Sequence, residues 1–200
     1  VAQGGSGSVQ AQGAPDIVWK TNGHNRQVTS IAIAPDGASL ASGSIEDGLY
    51  GYLNVWRTLD TALVKSFAFY HEDVLTVAIS PDGQYLAEGG GGGDSDGGKT
   101  RMWQISDWTL VTIHDTGNFI TAVAFSADSD FYAFAPQFGN FIGLVPLKPG
   151  LRGGSTDDAP HYGPVNSIQF APNARTFASA GGTEWSRFGI TLTASLTTHS

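Results

Sequence analysis

The stretch Val28-Thr29-Ser30-Ile31-Ala32-Ile33-Ala34-Pro35-Asp36-Gly37 decides the fold, because the chain writes it four times. VLTVAISPDG begins at Val74, ITAVAFSADS at Ile120 and VNSIQFAPNA at Val165, at spacings of 46, 46 and 45 residues. Self-similarity at that period marks a repeat architecture, in which one supersecondary unit is copied along the chain. A second phrase follows at a constant offset: Leu40 in SLASGS, Leu86 in YLAEGG, Tyr132 in FYAFAP and Phe177 in TFASAG. Two phrases kept in phase over four copies identify a common unit.

Within each copy the first phrase alternates apolar with small or polar residues, as at Ile31, Ile33 and Val77, Ile79. That is the period of a strand with one face buried. Pro-Asp-Gly or its relic then turns the chain, since Pro presets φ and Gly accepts a positive φ. A second strand follows, and a third closes on Trp56 in YLNVW, on Trp103 in KTRMW and on the aliphatic Leu144 in NFIGLV. ALVKSF and WTLVTI supply a fourth. Each repeat predicts a four-stranded antiparallel meander, no stretch carries a helix period, and the chain is expected to be all-β.

Composition narrows the function. Two hundred residues suit one domain. A net charge of −8 and a pI near 4.8 exclude a nucleic-acid surface, which needs a concentrated basic patch. Zero cysteines removes disulfides, thiolate zinc sites, iron–sulfur clusters and cysteine nucleophiles. No apolar run approaches the roughly 20 residues of a membrane-spanning helix, so membrane insertion is not expected. Residues 1–15 are a low-complexity arm without an initiator Met or an apolar leader. With charged residues at only 14%, an extracellular location is expected, a cytoplasmic one being the alternative.

Over residues 16–192 the chain resembles the WD40 β-propeller family. The resemblance rests on the period, on Gly23-His24 ahead of Val28, on the Pro-Asp-Gly turns at 35–37 and 81–83, on the Ser-Gly strand ends, and on Trp56 and Trp103. His161 keeps the spacing of His24, and His71 sits one residue nearer its strand. Tyr50 and Gly97 stand where the family carries an Asp before the closing Trp, so the family's internal hydrogen-bond network is not expected whole. The resemblance implies four WD40-like four-stranded antiparallel blades, with repeats near 16–60, 61–106, 107–148 and 149–192. It also implies a structural part for His24 and His161.

Propellers close with typically four to eight blades. Four blades therefore form either a tight four-bladed ring or half of a larger one, and a half-ring leaves two sheet faces uncovered. The strand containing Ile17, Val18 and Trp19 precedes the first inner strand, while the last repeat lacks an obvious fourth strand. Either that N-terminal strand or residues 193–200, as a C-terminal strand or tail, completes the last blade. In the second case Ile17, Val18 and Trp19 are free to pair with the edge of a neighbouring copy.

Gly93-Asp94-Ser95-Asp96-Gly97-Gly98-Lys99-Thr100 matches the literal P-loop pattern, yet a strand and not a helix follows it. A Gly-rich insertion is the expectation. Asp94 and Asp96 are the weak candidates for a metal, calcium, and no other cofactor is expected. No nucleophile–base motif occurs, so an enzyme is not expected. The connections between second and third strands and between successive repeats share one face, which collects more than half of the 18 acidic residues, Glu72, Asp73 and Asp115 among them. It also presents Tyr50, Tyr52 and Trp185, residue types that anchor interfaces. These features point to a non-catalytic scaffold that assembles with itself, as an oligomer or fibre, through its arm and blade edges. The alternatives are a protein- or peptide-binding domain of a longer chain using the acidic face, and a calcium-dependent binder.

Overall fold

Each copy of the repeated stretch forms the first strand of its own antiparallel sheet. The structure, a computed structural model, describes residues 23–45, 49–92, 97–138, 141–155, 163–172, 176–182 and 189–193. Blade 1 contains β1 (Val28–Ile33), β2 (Ser39–Ser44), β3 (Tyr50–Arg57) and β4 (Leu63–Tyr70). Blade 2 contains β5 (Asp73–Ile79), β6 (Tyr85–Gly91), β7 (Lys99–Gln104) and β8 (Leu110–Asp115). Blade 3 runs from β9 (Ile120–Phe125) through β10 (Phe131–Pro136) and β11 (Gly143–Pro146) to the short β12 (Gly154–Ser155). In blade 4 the described residues form β13 (Val165–Phe170), β14 (Phe177–Gly181) and β15 (Gly189–Thr193). No described residue is helical. Residues 1–22, including Ile17, Val18 and Trp19, and residues 194–200 lie outside the described part, so which of them completes blade 4 does too.

Local chemistry explains the meanders. In the first turn the Gly37 N–H donates to the Ala34 carbonyl at 2.8 Å and Gly37 sits at φ 69°. Asp36 Oδ1 accepts the Ala38 N–H, which locks the exit of the turn. Gly83 repeats this conformation at φ 70°, and in the Ala-Asp-Ser relic Ser129 adopts it at φ 55°. Every first strand also carries a register shift near its start, at Thr29, Leu75, Thr121 and Asn166. A β-bulge re-aims the extra residue out of its own ladder. Thr29 Oγ1 accordingly donates to the Val74 carbonyl of blade 2, and Thr121 Oγ1 to the Val165 carbonyl of blade 4, both across a blade boundary.

The hydrophobic core lies between blades. Ala41, Leu53 and Val55 of blade 1 pack on Val74, Val77, Leu86 and Trp103 of blade 2. Ala87 and Met102 meet Ile120, Val123 and Phe125, and Ala133 and Ala135 meet Val165, Ile168 and Phe170. Each inner strand thus presents a leading face to the blade before it. The inner strands touch in the order β1, β5, β9, β13, and no contact of comparable extent joins β13 back to β1. Val28, Ile31 and Ile33 on the leading face of β1 are exposed. The described blades form an open arc and not a tight four-bladed ring, because the fourth blade does not cover that face.

One buried position shows how the repeats diverge. Ser42, Glu88, Phe134 and Ser179 occupy the same register, opposite Ile31, Val77, Val123 and Ile168. Ser42 Oγ accepts the Trp56 indole N–H at 2.8 Å and is hydrogen-bonded to His24 Nε2 at 2.7 Å. His24 thereby ties the entry of blade 1 to its second and third strands. In blade 2 the serine is replaced by a buried carboxylate. Arg101 donates to Glu88 Oε1 at 2.9 Å and, through its other terminal nitrogen, to Glu72 Oε2. Lys99 Nζ donates to Glu72 Oε1 at 2.7 Å, and the Arg101 guanidinium lies 4.6 Å over the Phe69 ring. Burial pushes the Glu88 carboxyl up to about 7; Arg101 opposes the shift and the like charge of Glu72 adds to it.

The Gly-rich stretch is part of this packing. Gly89, Gly90 and Gly91 end strand β6, and a Cβ at Gly90 would fall 1.7 Å from the Asp73 carbonyl oxygen. Gly98 is equally constrained, at 1.6 Å from the Asn118 carbonyl oxygen. The expectation of an insertion therefore narrows to residues 93–96, which lie outside the described residues.

Two predictions follow the packing. Gly90→Ala lowers unfolding stability by about 2 kcal/mol or more, because backbone must move to admit the methyl. Gly154→Ala, where nothing lies within 4 Å of the new methyl, stays within about 0.5 kcal/mol; urea unfolding of both checks the pair. For Glu88 the folded carboxyl holds its proton above the pH at which the unfolded chain releases it. Its stabilising proton is fully present below about pH 4.5 and lost as pH rises through about 7, a swing of about 3 kcal/mol against the chain. Glu88→Gln keeps an acceptor for Arg101 and removes that loss, so its thermal midpoint gains on the parent chain between pH 5 and pH 8. Parallel pH profiles of the two would contradict it.

Candidate partner-binding face

Antiparallel meanders joined by short turns put the β2–β3, β4–β5, β6–β7, β8–β9 and β10–β11 connections at one end of the blades. In blade 1 this end is aromatic. Tyr50 starts β3 and pairs in register with Tyr70, the last residue of β4. Their rings lie 5.3 Å apart, Tyr52 stands 6.4 Å from Tyr50, and His71 meets Tyr70 edge-on at 4.0 Å. Tyr70 is 61% exposed and Tyr50 41%, with Leu49 beside them at 49%. Tyr52 is half-buried at the base of the group.

Alternation along β4 explains the arrangement. Phe67 and Phe69 turn inward, onto Trp103, with ring centroids at 4.8 and 6.0 Å, while Ala68 and Tyr70 face out. The turn after Tyr70 is tight: His71 has φ 56° and donates its backbone N–H to the Leu49 carbonyl at 2.6 Å. Gly51 is required beneath it, since a Cβ there would fall 2.2 Å from the Glu72 carbonyl oxygen. The aromatic group is thus held by strand register and a closed turn, and presents rings that lose little freedom when covered.

The sequence-derived site residues meet different fates. Tyr50 and Tyr52 come together, joined by Tyr70 and His71, which the sequence reading did not select. Their signal was available, because in a meander the end of the fourth strand returns beside the start of the third. Ile17, Val18, Trp19, Asp94, Asp96 and Trp185 lie outside the described residues. Glu72 is corrected: it is not a loop acid open to a partner but is buried and held by Lys99 and Arg101. Asp73 begins β5, where burial raises its carboxyl pKa, and Asp115 remains exposed while accepting the Gly117 N–H. The P-loop match dissolves as well. Lys99 and Thr100 open strand β7, Lys99 engages Glu72, and Thr100 Oγ1 donates to the Glu88 carbonyl and accepts the Tyr132 hydroxyl.

The family model described as "WD domain, G-beta repeat" matches residues 16–56 and 63–104. The "WD repeat-containing protein SL1-17" of Schistosoma mansoni is 27% identical over 164 residues, covering 82% of this chain and 50% of that protein. A "Periodic tryptophan protein 2 homolog" of Dictyostelium discoideum is 30% identical over 54% of the chain, and its namesake in Mus musculus 32% over 44%. The chain spans 11% and 9% of the length of those two. Two matched repeats, a bulge and register shared by all four blades, and a relative of the same repeat type over most of the sequence agree: this chain is similar to the WD40-repeat proteins.

Proposed function

We propose that the chain is a non-catalytic interaction scaffold that works as a subunit of a homomeric assembly. The observation carrying this reading is the exposed leading face of β1, in a fold whose other inner strands pack their leading faces on the preceding blade. Exposed apolar sheet faces of this kind belong to interfaces. Contacts through Ile17, Val18 and Trp19 would add to such an assembly, and an extracellular location, argued from composition, is part of the same proposal. Sedimentation of the chain from micromolar to hundreds of micromolar tests it. Species at multiples of 20.9 kDa are expected, and a monomer over the whole range defeats the reading.

A second activity is favoured by the aromatic group: a protein or peptide partner held on the loop face. Tyr50, Tyr70 and Leu49 supply the apolar centre of such a contact, with Asp73 and Asp115 on the same end of the blades, which suits a peptide carrying aromatic and basic residues. Panning a displayed peptide library against the chain supplies the probe. Selected peptides are expected to bind at least about tenfold more weakly to Tyr50→Ala and Tyr70→Ala, a loss on the scale of interface anchors. Undiminished binding by both variants removes the loop face from the function.

A further inference from the structure

The blade joint inside this chain has three working copies, and the chain carries the two unmatched halves of a fourth. In each working joint the residue just before the bulge of an inner strand is a knob, seated on a small residue of the preceding blade's second strand. Val74 sits on Gly43, where a Cβ would lie 3.3 Å from the Val74 Cβ, and Ile120 sits likewise on Gly89. Val165 meets Ala135 in the third joint. All three knobs are 0% exposed. The corresponding knob of blade 1, Val28, is 46% exposed, and Ile31 and Ile33 beyond it are 62% and 63% exposed. Of their counterparts, Val77, Val123, Phe125, Ile168 and Phe170 are buried and Ile79 is half-buried.

The seat is present at the other end of the arc. Ala180 holds the place of Gly43, Gly89 and Ala135, and with Ala178 it is only half-buried where blades 1–3 bury both positions. Asn166 holds the bulge position from which Thr29 and Thr121 donate to the next blade, and it is exposed with an amide N–H to give. Ser167 matches Ser30, whose hydroxyl accepts the Val77 N–H at 3.1 Å across the first joint. Gln169 alone departs from the alanine of the other blades, Ala32, Ala78 and Ala124.

Resting on the homomeric reading above, we propose that the occupant of the β1 face is blade 4 of a second copy. Val28 seats on Ala180, Asn166 donates to the Val28 carbonyl and Ser167 accepts the Ile31 N–H. Two copies joined twice in this way bring eight blades together, the upper end of the usual range for a closed propeller. Leading and trailing faces differ, so the joint is head-to-tail.

The cysteine-free background makes the test direct. In the Val28→Cys, Ala180→Cys double variant the two Cβ atoms, placed as in the Gly43–Val74 joint, fall near the separation a disulfide spans. Mild oxidation is expected to link 28 of one chain to 180 of another, giving a covalent dimer on a non-reducing gel. Gln169→Ala, which restores the pattern of the other joints, should tighten association several-fold. Ile31→Arg should yield monomer with an unchanged thermal midpoint of the dissociated chain, since Ile31 is exposed there. A multimer without the 28–180 link overturns this assignment of faces while leaving homomeric assembly standing. A monomer with free thiols overturns both, and a 28–180 link within one chain overturns the joint between copies.

Discussion

The packing of each inner strand's leading face on the second strand of the preceding blade is the interaction from which the rest of the structure follows. A single four-stranded meander has two faces and too little substance between them to bury either. Here the solution is serial. Val74, Ile120 and Val165 each plug a site kept open by glycine or alanine, and the rows behind them, from Val77 to Phe170, complete three separate apolar layers. The small residue matters as much as the large one, because a side chain at Gly43 or Gly89 would collide with the knob it receives. Bulges at Thr29 and Thr121 add a directional component, aiming a hydroxyl at a carbonyl of the next blade.

Serial packing frees other positions to vary. The interior site filled by Ser42, Glu88, Phe134 or Ser179 accepts a hydroxyl network, an ion pair, an aromatic ring or a second serine without disturbing strand register. Glu88 is the expensive choice. A buried carboxylate is tolerated because Arg101 reaches it and also reaches Glu72, while Lys99 balances the second acid. The same loss of constraint at the connections lets Tyr50 and Tyr70 gather at one end of blade 1, where neither is needed to hold the sheet.

Sequence alone revealed whatever the repeat period controls. Alternation at Ile31 and Ile33, the Pro-Asp-Gly turns and the closing Trp56 and Trp103 specify strands, turns and their order, since each is a local demand of backbone geometry. Contacts between elements were less legible. Glu72 follows a strand in a charged stretch and reads as a solvated loop acid; only the folded register shows Arg101 and Lys99 converging on it from β7. The Gly-Lys-Thr of the P-loop match misleads for a related reason, because a glycine run that opens room for neighbouring backbone is indistinguishable in sequence from one that cradles phosphate. Tyr70 was missed because its importance comes from pairing with Tyr50 across two strands and not from any motif.

Serial packing also fixes how the ends behave. In a repeat array, stability is approximately a sum of unit terms and nearest-neighbour interfaces, so an internal blade has two joints and a terminal blade one. Blades 2 and 3 are held on both faces, whereas blade 1 lacks cover on its leading face and blade 4 on its trailing face. A natural array caps such ends with polar residues. Asn166, Ser167 and Gln169 move blade 4 in that direction, but Val28, Ile31 and Ile33 leave the leading face of blade 1 as apolar as an internal one. The asymmetry gives the arc a direction. The apolar half of the joint finds its complement within this fold in a trailing face, so a contact that reproduced the internal joints would propagate in one sense until rotation brought the ends together.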